Sequence, residues 1–534
     1  MTTWRARLSV LIVVTLSIGC GNGSPEPTRS EARIAATAWL MPSDVGGAAT
    51  DEDWIRFGWD SFVAVNWPAA NQWPAPGDGG RPDKTITIGG PQAAARPAVW
   101  QTYLAPGQVF RDNGQDPGEW NRPVAPFTTT PDPDQPGSVV PVLGGFGEKS
   151  LYFLTQSPDI GLMLFDLATT PNPVVDQRGN YVLLEVRLNQ SEFDYFKQTR
   201  YYDACVQRDD TRGPAAHFTY LPDTGAPGLP DWARQGAVEI KTSWRILDKA
   251  TDIPGRYFTT RAAFLKPNGD VSPPLTLGLV GMHILRNTPR SKSTWAWTTF
   301  EQVDNVRILD RPVPLRPDGQ PLSPSFNPGP AGAEPTYPFG FDTTGRFDYS
   351  LLSNPAAYYN PVTSPAMLSK GDAIPRNPPD RPVNLSRVVP MREAVKKINA
   401  EYRSKLQGTV WQYYEMIDVM YPTATGISEV KKPDNTSWDP KLMTNTPAMV
   451  NVTMESYLAY KFSTWSLDNC QSCHYDATPQ AATRPTPPAM AAAHAAPPAL
   501  PQVFSYLYRR ATPSRPVNSG GTCNTPVTLA PVRR

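Results

Sequence analysis

The chain has 534 residues, length for about two to four domains, and its 50 Lys and Arg against 49 Asp and Glu leave a formal net charge of +1. That balance gives no basis for nucleic acid or an acidic membrane surface as a partner. Sixty-one prolines, about twice ordinary usage, argue against a helical bundle, and 15 Trp with 21 Tyr argue against disorder, because that much aromatic surface has to be buried.

Arg5 and Arg7 precede the apolar run Leu8 to Ile18, which is too short for a permanent membrane span. The run ends in Leu16-Ser17-Ile18-Gly19-Cys20. It is similar to a bacterial lipoprotein signal over residues 1–20, with Cys20 the lipidated first residue, although Ser17 stands where such signals carry Leu. A plain secretory signal is the alternative, and both readings export the chain. Residues 21–50 read as a tether. Residues 51–390 read as a β-rich scaffold, and residues 391–534, which hold the most specific motif of the chain, as a C-terminal helical segment packed on it.

The periodicity over 51–66 predicts a helix with Trp54, Phe57, Ser61 and Ala64 inward, ended by Trp67-Pro68. Residues 97–103 are too short to assign, and 111–147 read as loop. Tyr181 to Leu188 reads as a strand, followed by a short helix to Tyr202 capped by Ser191. Residues 237–247 alternate as a half-buried strand, with Val238, Ile240, Thr242, Trp244 and Ile246 on one face. Strands are expected over 256–265, 275–286 and 294–302, the first two joined by the turn Pro267-Asn268-Gly269-Asp270. Together they predict an antiparallel meander. Long Pro-rich loops follow from about 307 to 390. Val395, Ile398, Tyr402 and Leu406 mark an amphipathic helix ended by Gly408, and Val410 to Tyr421 fits strand or helix equally. Thr453 is positioned to cap a helix running towards residue 470. The fold class expected is α+β.

The most specific motif is Cys470-Gln471-Ser472-Cys473-His474. On one helical turn both thiols face the same side and can bond the two vinyl groups of a haem, while His474 supplies an imidazole to the iron. With five Cys and four His in the chain, C-x-x-C-H arises by chance on the order of once in a few thousand such chains. A thioredoxin-like pair would need a βαβ setting, and a zinc site would need a second ligand pair; neither is legible. The cofactor expected is one covalent haem c. With Cys20 assigned to lipid and Cys470 and Cys473 to haem, Cys205 and Cys523 remain. They are a disulfide candidate in an oxidising compartment, with two unpaired thiols the alternative.

Several segments together are similar to a family of exported bacterial proteins, the cytochrome c family proteins. They are Leu279-Val280-Gly281-Met282-His283-Ile284, the run Trp297 to Val306, Phe62 to Pro68, Pro97 to Tyr103, Glu239 to Trp244 and Asn451 to Glu455. These patches span most of the chain. Leu285-Arg286-Asn287 departs from the pattern, where a second His and a Lys would be expected. The resemblance implies a haem-c protein and carries no settled activity.

His474 is the expected proximal ligand, and the opposite face of the iron decides function. His283 is the distal candidate, with a hydrogen-bonded core histidine the competing reading, and Met282 points to the other side of its strand. Met490 and His494 could fold back as ligands, His217 has no assigned role, and Met454 reads as core. Glu301, Asp304 and Asn305 read as a turn or as the edge of a propionate-binding cavity, with Arg256, Arg261 and Lys241 as propionate partners. The function expected is one-electron transfer with a redox partner protein or a small-molecule electron donor or acceptor. The site would be the periplasmic side of the envelope, with a lipid anchor in the outer membrane. The alternatives are a haem oxygenase or peroxidase with an open distal face, and an envelope lipoprotein with a binding or structural role.

Overall fold

The computed structural model describes residues 34–70, 79–123, 129–143, 176, 182–211, 219, 221–264, 271–291, 295–306, 312–316, 318–326, 391–422, 449, 451–454, 474, 505, 507–508, 511–515 and 523. Among them are five α-helices and ten strands in an α+β fold. The sequence expectations for Cys20, residues 267–270, His217, Cys470, Cys473, Met490 and His494 fall outside the described residues. Among the described residues no helix is long and apolar enough to cross a membrane.

Helix α1 (Asp51–Val65) begins at a capping box: Asp53 N donates to Thr50 Oγ1, and Thr50 N donates back to Asp53 Oδ2. Asp51, Glu52 and Asp53 complement the helix dipole at that end. Its apolar positions cover most of the surface, so α1 is buried on nearly every side. Gly58 lets it approach the sheet closely, because a Cβ there would meet Met416 and Thr298. Helix α2 is the single turn Pro106–Val109, and 97–103 resolves into a 3-10 turn over Val99–Thr102.

Strands β1 (Gly118–Glu119) and β2 (Arg122–Pro123) form a separate hairpin. The main sheet contains β3 (Thr129–Pro131), β4 (Val139–Leu143), β5 (Leu183–Leu188), β6 (Val238–Ile246), β7 (Thr259–Phe264), β8 (Leu275–Arg286), β9 (Ala296–Gln302) and β10 (Tyr414–Met420). Strands β5, β6, β8, β9 and β10 pair antiparallel in that order, and β3 pairs antiparallel with β4. The pair β4 and β7 runs parallel, so the sheet is mixed.

The predicted meander is corrected here. Strand β6 pairs directly with β8, and β7 lies on the other edge of β8. The reason is length. Strand β8 has 12 residues, so one edge takes β7 along Leu275–Gly278 and β9 along Gly281–Arg286, end to end. The Tyr414 hydroxyl seals the junction, accepting from Phe258 N and donating to Leu279 O, both at 2.9 Å. Strand β6 was expected to be half-buried; both its faces are covered, because it is an interior strand. On its polar face Arg245 is ion-paired to Asp176 and Asp252.

Helix α3 (Gln190–Thr199) is capped by Asn189, not Ser191: Glu192 N donates to Asn189 Oδ1, whereas the Ser191 hydroxyl is buried against the Gln235 carbonyl. Helix α4 (Ala204–Thr211) follows closely. Helix α5 (Glu393–Lys405) packs on α1 and β10. Val410 to Tyr421 resolves into a 3-10 turn and then β10, whose bulge after Met416 is satisfied by Asn399: Asn399 Nδ2 donates to Met416 O, and Met416 N to Asn399 Oδ1. The sheet and its covering helices therefore draw on residues both before and after 390. Helices α1 and α5 lie on the sheet face of Met282, Thr298, Phe300 and Met416.

Replacing Tyr414 by Phe leaves Phe258 N and Leu279 O without their bridge. Stability is expected to fall by about 1–3 kcal/mol, read as a lower denaturant midpoint at unchanged slope.

Candidate functional site

The second face of the sheet points away from α1, and its side chains follow from the register. Glu239, Leu285, Trp297 and Met420 form one row across β6, β8, β9 and β10. Lys241, His283 and Thr299 form the next, and Ser243, Gly281, Glu301 and Glu415 the third. Directly paired residues share a face, so these side chains rise together. Apart from half-buried Lys241, they are buried.

The His474 imidazole stands over the first row, edge to face with Trp297, the ring centroids 4.6 Å apart and the planes at 69°. Trp297 is 3% exposed and rigidly held on β9. His474 is half-buried. His283, 7% exposed, is one row from Trp297 on the same face.

The described chain on both sides of the motif is fastened to the scaffold. Before it, Asn451 Nδ2 donates to Thr299 Oγ1 and Phe300 O, each at 3.0 Å, and Val452 N donates to Glu301 Oε1 at 2.9 Å. The Thr453 hydroxyl donates to Asn451 Oδ1 and shares a hydrogen bond with the Ser243 hydroxyl. The helix it was to open lies outside the described residues. Gly281 is required beneath this segment, because a Cβ would strike Thr453 and Ser243. After the motif, Gln207 Nε2 donates to Tyr508 O at 2.9 Å and Tyr508 donates to the Tyr195 hydroxyl at 2.7 Å. Ala204 N donates to Thr512 O, and a disulfide joins Cys205 on α4 to Cys523 with a Cα separation of 6.0 Å.

The turn and propionate readings separate. Arg256 is bidentate to Asp304 and lies over the Tyr413 ring, and Arg261 is bidentate to Asp132 with Asp134 beside it. Both guanidinium groups are ion-paired to carboxylates of the scaffold. Residues 303–306 form a turn in which Asn305 Nδ2 donates to Val280 O and Asp304 N to Gln302 Oε1. Met454 is buried, as expected of a core residue.

One feature of the site was not anticipated. Asn189 staples the start of α3 to β6, accepting from Val238 N and donating to Gly236 O. This brings Glu192, in the first turn of α3, against Glu239 on β6. Both carboxyls are buried, and Glu192 Oε1, Glu192 Oε2 and Glu239 Oε1 receive no donor among the described residues. Burial, then the neighbouring Glu239, holds Glu192 well above the ordinary carboxylate range; burial pushes Glu239 up to about 7. The sequence signal was faint: a Glu on a strand that proves to be covered on both faces.

No protein-family profile, curated protein or solved structure matches this chain.

The raised values set a sign for pH dependence. Below the unfolded carboxyl value of about 4.3 the pair's contribution is fully present, and it is lost as pH rises through the folded values, because the folded state holds the extra proton. Glu192→Gln is expected to flatten the decline in stability between about pH 5 and pH 8 and to raise the melting temperature at the alkaline end. A decline unchanged in the variant would contradict the pairing.

Proposed function

We propose that the chain is an exported monohaem c-type cytochrome that transfers single electrons on the periplasmic side of a bacterial envelope, anchored by lipid at Cys20. The carrying observation is the C-x-x-C-H motif whose histidine rests edge-on against a buried tryptophan. Haem iron held this way supplies a one-electron couple.

The residues fit the group. Cys470 and Cys473 would form the two thioethers and His474 would ligate the iron. Trp297 walls one side of the imidazole and limits its rotation. The anchors at Asn451 and Val452 on the sheet and at Cys523 on α4 hold the described chain on either side of the motif to the scaffold, which suits a couple that must change charge with little movement. The Cys205–Cys523 disulfide supports an oxidising compartment. His283 is the candidate sixth ligand on the same sheet face. The polar row of Lys241, His283 and Thr299 favours a second reading, a haem enzyme with an open distal face, in which these groups would serve a bound small molecule.

The purified protein, matured with c-type haem machinery, is expected to show a covalent haem spectrum that denaturation does not release. Cys470→Ser and Cys473→Ser should each weaken or abolish attachment, and His474→Ala should disturb the ligand field most. A low-spin spectrum indifferent to CO supports electron transfer, and high-spin iron that binds CO supports the enzyme. No Soret band would sink both.

A further inference from the structure

The Glu192–Glu239 pair takes no part in holding a haem, yet it shares a sheet row with the tryptophan under His474. Glu239 pairs with Leu285, and Leu285 pairs with Trp297, all on one face. Adjacent strands lie about 4.8 Å apart, so Glu239 is about 10 Å from Trp297 across the sheet. Leu285, itself buried, fills the space between, so little water screens one end from the other.

The pair cannot carry two charges there. Two buried carboxylates side by side, three of their oxygens without a donor, keep a proton between them. A metal is the poorer occupant: Glu192 lies in the first turn of α3, where the helix dipole favours an anion. One proton and one negative charge satisfy both demands.

We infer that Glu192 and Glu239 form a proton site that would be linked to the redox state of a haem held by His474, holding its proton more tightly when that haem is reduced than when it is oxidised. This rests on the cytochrome reading above. The electron comes from the one-electron donor and the proton from solvent. Near the pair's titration point a tenfold change in proton affinity would take up about half a proton per electron, so the charge added to a reduced haem would be partly compensated. Buried charge changes are costly in a medium of low dielectric, and this compensation would lower that cost.

The other groups around the pair are known. From α3 comes Tyr195, and from the returning tail come Ser505 and Tyr508. Burial raises both tyrosines well above their usual value, so they stay protonated through the neutral range. Lys241 follows two residues along β6, and His283 lies diagonally across on β8. His283 is distinguished from the pair by its own variant.

The test is a spectroelectrochemical titration of the haem-loaded full chain from about pH 5 to about pH 9. Unit charges about 12 Å apart at an effective dielectric of about 20 change each other's proton affinity about tenfold. The midpoint potential should therefore fall by about 59 mV from its acid to its alkaline plateau, the one-electron equivalent of tenfold. Glu239→Gln and Glu192→Gln should each flatten the profile while leaving the Soret band in place. His283→Gln should keep the fall, whatever it does to the spectrum. A flat wild-type profile, a fall that persists in both Gln variants, or one lost only in His283→Gln overturns the inference and leaves the cytochrome reading standing. A protein without covalent haem overturns both.

Discussion

Strand β8 is the constraint on which the rest of the structure depends. It holds β6 along one edge and both β7 and β9 along the other. Its register shift between Ser243 and Trp244 leaves Val280 unpaired against β6, and the Val280 carbonyl is taken up by Asn305. Gly281 then leaves the room that Asn451 and Thr453 need to lie against the sheet. One strand thus sets the sheet order and the seat of the C-terminal segment.

The two faces of the sheet have different work. The face under α1 and α5 is aromatic and apolar, with Trp59, Phe62, Phe300, Tyr402, Trp411 and Tyr414 in contact. Its area removes most of the free-energy cost of ordering so long a chain. The opposite face carries Glu239, Lys241, Ser243, His283, Thr299, Glu301 and Glu415 under cover. Burying polar groups costs energy unless they are bonded, so such a face needs a reason. Part of the reason is structural, since Thr299 and Glu301 receive Asn451 and Val452. The remainder lies at Trp297, which meets the His474 ring, and at the buried Glu192–Glu239 pair.

Much of the architecture was legible because it is local. The apolar period of 51–66 and of Val395 to Leu406, and the strands at 237–247, 275–286 and 294–302, needed only side-chain spacing. The misreadings are non-local. A meander was the natural order for successive strands, but strand order depends on which edge each strand finds. Ser191 and Asn189 are both good caps, and the choice fell to Asn189 because its side chain also binds β6. The ion pairs of Arg256 and Arg261 were not legible because their carboxylate partners, Asp304 and Asp132, are 48 and 129 residues away.

What the sequence determined by itself was chemistry carried by covalent spacing. Cys470, Cys473 and His474 form a recognisable set because their spacing would bring them to one side of a single helical turn, an expectation that needs no other part of the chain. The even remainder of Cys205 and Cys523 was equally visible, although their bond closes a separation of 318 residues. Only the tertiary structure decided what His474 meets. Trp297 lies 177 positions before His474 and Glu239 58 before Trp297, and they share a row because hydrogen-bond register across three strands sets it. Register is a property of the paired backbones, and no local pattern of residues encodes it alone.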